Sequence, residues 1–238
     1  MEQKLRLLEI MEVDIVFVVR FTSDFAKLSP QEFIEKFIVD LNVKYVTAGF
    51  DFSFGSFGQG SMDTMQELSE GRYEVNVVQK KTDETEKISS TRIRQELKSG
   101  NMDKARALLG RPYQIPGVVV HGDKRGRQIG FPTANIQAQE GSFIPANGVY
   151  AVKMLVQHEW IEGVCNVGFK PTFNNPDHKK LTIEVHLFDF DKNIYGEEVS
   201  VDWFKRIRDE QKFDGIHALK VQIEKDKQSA IETLKNFR

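Results

Sequence analysis

Thr182-Ile183-Glu184-Val185-His186-Leu187-Phe188 alternates with a period of two. Ile183, Val185 and Leu187 fall on one face of an extended strand, and Glu184 and His186 fall on the other. Alternation of this kind marks a strand with one face against a core. Similar short apolar runs surround it at 117–120, 148–156, 161–167 and 198–201, bounded by Gly, Pro, Asn and Asp. Short strands separated by turn residues predict an antiparallel β-barrel or sandwich. A closing helix is expected to place Ile216, Leu219, Ile223, Ala230, Leu234 and Phe237 on one stripe, with Asp214 as its N-cap.

Before Arg111-Pro112 the period is different. Residues 2–12 read as a helix, and 14–19 (Asp-Ile-Val-Phe-Val-Val) as a continuous apolar run suited to a buried parallel strand. Ser29-Pro30 opens a helix, with proline in the first turn where its missing N–H costs nothing. Phe33, Ile34, Phe37, Ile38 and Leu41 form its apolar stripe. Further strands are expected at 43–47 and 73–78, and two helices at 90–98 and 102–109, separated by Gly100 and ended by Gly110. Strand-helix-strand order of this kind predicts a doubly wound α/β unit over 1–110. The β-rich unit then occupies 111–238.

Composition sets the class of partner. The 238 residues are 40% hydrophobic and 29% charged, with net charge −2 and pI near 6.2. That balance is ordinary for a soluble globular chain, and it argues against a nucleic-acid or membrane surface. Small molecules are the expected partners. No apolar run reaches the ~20 residues that span a bilayer, and the first residues lack a signal core. The single cysteine, Cys165, excludes an intramolecular disulfide and fits a reducing cytoplasm. Its neighbours Val164 and Val167 favour a buried structural thiol over a nucleophile.

The chemistry lies in Gly126-Arg127-Gln128-Ile129-Gly130-Phe131-Pro132-Thr133-Ala134-Asn135, about fifty positions before Glu184. Glycine backbone beside the basic Lys124, Arg125 and Arg127 suits phosphate, and a hydroxyl and an amide follow a rigid proline. No Gly-Lys-Ser/Thr follows the glycines, so this is not a Walker A loop. A phosphate-metal cradle facing one carboxylate is the minimum equipment for moving a phosphoryl group onto an alcohol. Taken singly, each piece has a plainer reading: a β-turn with a basic tip, a solvated strand glutamate, a structural histidine at 186, an exposed helix pair at Arg208 and Glu210.

Taken in order, the motifs are specific. Gly110-Arg-Pro-Tyr-Gln-Ile-Pro-Gly117-Val-Val-Val-His-Gly122, the decapeptide above, Pro145-Ala-Asn-Gly-Val-Tyr150, Asn166-Val-Gly-Phe-Lys-Pro-Thr-Phe173, Glu184-Val-His-Leu-Phe-Asp-Phe190 and Phe204-Lys-Arg-Ile-Arg-Asp-Glu-Gln-Lys-Phe213 run through the second half. This half resembles the riboflavin kinase domain of the prokaryotic bifunctional riboflavin kinase/FMN adenylyltransferase (FAD synthetase) family. The resemblance implies a Greek-key barrel with a C-terminal helix, ATP and riboflavin as substrates, FMN as product, and Mg²⁺. It makes Thr133 a Mg²⁺ ligand and Asn135 a polar partner of metal or phosphate. Gly122, Lys124, Gly126 and Gly130 fall on the ATP phosphates, Glu184 is the base, and Arg208 and Phe213 close over the flavin.

The first half is similar to the rear part of the family's FMN adenylyltransferase domain, a Rossmann-like nucleotidyltransferase. The matching pieces are Ala48-Gly-Phe-Asp-Phe-Ser-Phe-Gly55, Ile88-Ser-Ser-Thr-Arg-Ile-Arg94, Gly100 and Leu108-Leu-Gly110. Ser89, Ser90, Thr91 and Arg94 carry over as phosphate-side residues at a helix start, where free N–H groups favour anions. The alternative is a plain N-cap with an exposed arginine. The sequence holds no His-x-Gly-His, the family's nucleotide turn, and Phe213-Asp-Gly-Ile-His217 only imitates its beginning. Two expectations stand side by side: an incomplete adenylyltransferase domain with an exposed sheet edge, apolar surface and impaired FAD synthesis, or a sequence that is an incomplete copy of a longer protein. A full second activity giving FAD, or a non-catalytic flavin-binding or RNA-contacting regulator, are the alternatives. The regulator would call for a basic, aromatic-rich surface, which this weakly acidic chain lacks.

Overall fold

The computed structural model describes residues 1–83, 86–122, 125–172 and 175–237. They form two compact units, Met1–Lys87 and Ile88–Arg238. No helix among the described residues is long and apolar enough to cross a membrane.

The first unit contains helices α1 (Glu2–Ile10), α2 (Ser23–Ala26) and α3 (Pro30–Ile34), strand β1 (Tyr45–Gly49), helix α4 (Met62–Glu67) and strand β2 (Glu74–Val78). Ser29 caps α3 through a reciprocal box with Glu32, and Pro30 occupies the first turn as expected. The helix then widens into a π-turn over Glu35–Val39. β1 and β2 pair in parallel, Thr47 opposite Asn76. Ile34, Phe54, Met65 and Tyr73 make the core, where the Tyr73 hydroxyl donates to the Met65 carbonyl at 2.9 Å.

One expectation fails here. Residues 14–19 form no strand, and Ile15 and Phe17 are 70% and 73% exposed. A central parallel strand needs a ladder partner and a covering layer. Among the described residues, the only parallel pair in this unit is β1–β2, so the run has apolar side chains but neither requirement.

The second unit begins with helices α5 (Ser90–Ser99) and α6 (Met102–Leu109). They bury Leu97, Met102 and Ala105 in the same cluster as Ile115, Tyr150 and Trp203, so the packing unit starts well before residue 111. The barrel strands are β3 (Tyr113–Val120), β4 (Ala134–Ala138), β5 (Gly148–Val156), β6 (Glu159–Thr172), β7 (Asn175–Leu187) and β8 (Glu198–Arg208). A one-turn helix, α7 (Arg125–Gln128), precedes β4, and α8 (Ile216–Lys235) ends the unit.

The sheet closes in the order β3-β4-β7-β6-β5-β8 with every pair antiparallel. β5, β6 and β7 follow one another and β8 returns beside β5, which is the Greek-key order. Closure leaves no free edge. Ile183, Val185 and Leu187 point into the barrel core, as their alternation requires. A second cluster, Val149, Ala151, Val164, Phe188 and Phe204, lies outside the barrel under Ala230 and Leu234 of α8.

Two details of α8 depart from the sequence expectation. Gly215, at φ 103°, stands at the capping position where Asp214 was expected, and no side chain caps the helix. The stripe is buried only in its second half: Ile216 is 64% exposed, and Asp226 takes a buried place among the apolar positions. Asp226 is held there by an ion pair with Arg208.

Candidate active site

β7 places Glu184 on the outer face of the barrel, between the buried Ile183 and Val185. The ladder register puts Asn135 of β4 directly opposite it on one side and Asn166 of β6 on the other. Directly opposed residues share a face, with Cβ atoms about 5 Å apart. A carboxylate thus stands between two amides in one row, and its Oε1 is shielded from solvent. Asn135 and Glu184 were both read from the sequence. Asn166 was not, although a polar residue between the fully buried Cys165 and Val167 was a usable signal.

The turn before β4 is tight. The Phe131 N–H donates to the Gly126 carbonyl at 2.9 Å. A Cβ added at Gly126 would collide with the Phe131 carbonyl and sit 3.5 Å from Thr133 Oγ1. A Cβ at Gly122 would collide with the Asn135 amide. Both glycines are therefore required by close approach, and the turn gathers Gly122, Gly126, Thr133 and Asn135 at one end of the row. Gly130 lies in the turn after α7. Lys124, expected on the phosphates, lies outside the described residues.

Thr133 also lines a cavity of about 360 Å³ with Val119, Leu187, Phe190, Ile194 and Tyr195. Apolar walls with a few polar groups at the mouth are usual for small-molecule sites.

His186, two residues beyond Glu184, is buried. Its Nδ1 lies 2.8 Å from the Pro132 carbonyl, and its ring meets Phe131 and Phe188 edge-on. A carbonyl only accepts, so Nδ1 carries the proton. Burial, the largest influence, lowers the His186 pKa below the usual histidine value, which keeps the ring neutral at neutral pH. Cys165 is fully buried and burial pushes its thiol well up, as a structural thiol requires.

At the other end of the row, a Cβ added at Gly168 would collide with Glu210 Oε1 and lie 3.2 Å from Asn166 Nδ2. Glu210 and Asn166 therefore converge above Gly168. Arg208, expected to face the flavin, turns its guanidinium onto Asp226 of α8: Nε–Oδ1 is 2.8 Å and Nη2–Oδ2 is 2.7 Å. Gln222 donates to the same carboxylate at 2.9 Å. Phe213 is half-buried with its ring 5.6 Å from the Arg208 guanidinium. Asp226 had no sequence signal, because a lone aspartate in a charged helix normally reads as solvated.

Ser89 caps α5, accepting from the Arg92 N–H at 3.3 Å, while Ser90, Thr91 and Arg94 are exposed on its first turns. The structure sets these residues apart from the Glu184 row in sequence and in element.

A riboflavin kinase family model matches residues 109–234, and an FAD synthetase family model matches residues 1–92. The bifunctional riboflavin kinase/FMN adenylyltransferase of Bacillus subtilis (strain 168) is 47% identical over 238 residues, which is 100% of this chain and 75% of the relative. The protein of the same name from Haemophilus influenzae (strain ATCC 51907 / DSM 11121 / KW20 / Rd) is 43% identical over 241 residues, again 100% of this chain and 75% of its own. A solved chain from Streptococcus pneumoniae, described as a macrolide-efflux protein, superposes with a TM-score of 0.88 at 39% identity, covering 96% of this chain and 73% of its own. Matches of this extent, over a barrel that sets the Pro-Thr-Ala-Asn turn beside Glu184, show that the chain belongs to the bifunctional riboflavin kinase/FMN adenylyltransferase family.

Proposed function

We propose that this chain transfers the γ-phosphoryl group of ATP to the terminal ribityl hydroxyl of riboflavin, giving FMN and ADP, with Glu184 as general base. The observation that carries the reading is the ladder row that holds Glu184 between Asn135 on the phosphate side and Asn166 on the side of Glu210. An acceptor hydroxyl on that row meets a carboxylate able to take its proton as oxygen attacks the γ-phosphorus. The P–O bond to the β-phosphate breaks and ADP leaves with that electron pair.

Gly122, Gly126 and Gly130 would bring backbone N–H groups to the phosphates, with the cavity at Thr133 taking the rest of the nucleotide. Among the described residues, no cluster of three His, Cys, Asp or Glu side chains is placed to hold a metal. The oxygen donors of Thr133 and Asn135 suit a hard cation that arrives already bound to phosphate, as Mg²⁺ does. When bound, Mg²⁺ would neutralise charge on the phosphate oxygens. Phe213 and Glu210 would line the flavin side, with Arg208 holding their segment.

The match of residues 1–92 to the FAD synthetase model supports a second reaction, adenylyl transfer to FMN. Ser89, Ser90, Thr91 and Arg94 would serve its phosphate side. These 238 residues contain no His-x-Gly-His turn for the opposite side. Incubating this polypeptide with riboflavin and MgATP and separating the flavins by chromatography tests both readings in one trace. FMN is expected, and FAD beside it would report the second reaction. Absence of FMN would sink the kinase reading, and absence of FAD would sink the second reading for these 238 residues alone.

A further inference from the structure

We propose that His186 is a positioning residue for the nucleotide side of the site, its Nδ1–H holding the Pro132 carbonyl and thereby setting where Thr133 presents its hydroxyl. The inference rests on the reading of Thr133 as the phosphate-metal residue.

The ladder between β4 and β7 pairs Ala134 with Val185 and Asn135 with Glu184. Pro132 and Thr133 lie beyond those pairs, so ladder hydrogen bonds do not locate them. Beyond the ladder the turn is tied by the Phe131 N–H on the Gly126 carbonyl, 2.9 Å, and by His186 on the Pro132 carbonyl, 2.8 Å. Proline has no N–H, so its carbonyl is the only backbone hydrogen-bonding group that residue offers. The ring itself has little freedom: it is buried, and it stands edge-on to Phe131 at 5.4 Å and Phe188 at 6.0 Å. One strand therefore delivers the carboxylate at Glu184 to Asn135, and the imidazole two residues on to the peptide before Thr133. A phenylalanine would fill the same aromatic slot. What imidazole adds is a directed donor, and a buried polar ring is retained without penalty only when that donor is used.

The test uses the full chain as wild type, His186→Leu, His186→Asn and Thr133→Val. The Asn amide carries a donor close to the place of Nδ1, and Leu carries none. Each protein is assayed for kcat/KM with MgATP as the varied substrate, for riboflavin Kd by flavin fluorescence, and for Tm. A small displacement of a positioned group costs up to about 100-fold in rate. His186→Leu is therefore expected to lose about 10- to 100-fold in kcat/KM for MgATP with riboflavin Kd unchanged. His186→Asn should recover most of that loss.

MgATP use in His186→Leu equal to wild type overturns the proposal, as does His186→Asn as impaired as His186→Leu, or riboflavin binding lost in the same proportion. If His186→Leu does not fold, His186→Asn decides alone: wild-type MgATP use supports the donor, and its loss overturns it. Thr133→Val with unaltered MgATP kinetics would remove the reading of Thr133 beneath the inference, a result distinct from failure at His186.

Discussion

Glu184→Gln is expected to lower kcat by about 10²–10⁴ with little change in riboflavin affinity. The substitution keeps the shape of the side chain and its place between Asn135 and Asn166, so packing of the row persists. What it removes is the capacity to accept the ribityl proton. A group used only as the hydroxyl becomes a nucleophile affects the transition state and not the ground state, so kcat and kcat/KM fall together. Steady-state kinetics with flavin binding measured on the same samples checks this. A variant within a few-fold of wild type would leave Glu184 as a packing residue.

The second large effect is on stability. Asp226 and Arg208 form a two-point ion pair whose side chains are 4% and 19% exposed. Removing one member strands a buried charge, at a cost of roughly 3–5 kcal/mol. Asp226→Ala is therefore expected to lower the Tm of the barrel unit by roughly 10 °C. The apolar double replacement Arg208→Met with Asp226→Leu should recover much of that, because desolvation of both charges disappears with them.

The pair also has a functional consequence. Arg208 ends β8, and the segment from Asp209 to Phe213 follows it toward α8. Freed from Asp226, this segment loses its anchor, so KM for riboflavin should rise more than KM for MgATP in both variants. Calorimetric melting and two-substrate kinetics read these effects. A Tm change of only a degree or two in Asp226→Ala would show that the pair is solvated.

The sequence was most informative where a local pattern and a global one coincide. Alternation in 182–188 placed Ile183, Val185 and Leu187 in the core and Glu184 outside, because a strand's period leaves no other choice once one face is apolar. Gly126 and Thr133 were legible together because a tight turn and a phosphate cradle both need glycine. Residues 14–19 misled for the opposite reason: an apolar run states what a strand would bury, and the covering layer must come from elsewhere. β4 escaped notice because only Ile136 in it is buried and Pro132-Thr133 reads as loop.

The orientation of Arg208 could not be read at all. Its partner lies 18 positions away on α8, and nothing local at Asp226 distinguishes it from the helix's solvated charges. The same applies to Glu210, which comes over Gly168 near Asn166 only when the barrel closes. Side chains that complete a site through long-range closure leave little trace in composition or period. His186 is intermediate, since its face was legible and its partner Pro132 was not.

The central claim is that phosphorylation of riboflavin resides in the barrel unit, where Thr133, Asn135, Glu184 and the Arg208–Phe213 segment all lie. The most direct measurement is FMN formation from riboflavin and MgATP by a fragment comprising Ile88–Arg238, the compact unit that includes α5 and α6. The account predicts FMN at a kcat close to that of the whole chain, abolished in the same fragment by Glu184→Gln. A folded fragment that binds riboflavin and forms no FMN, while the whole chain does, would contradict it.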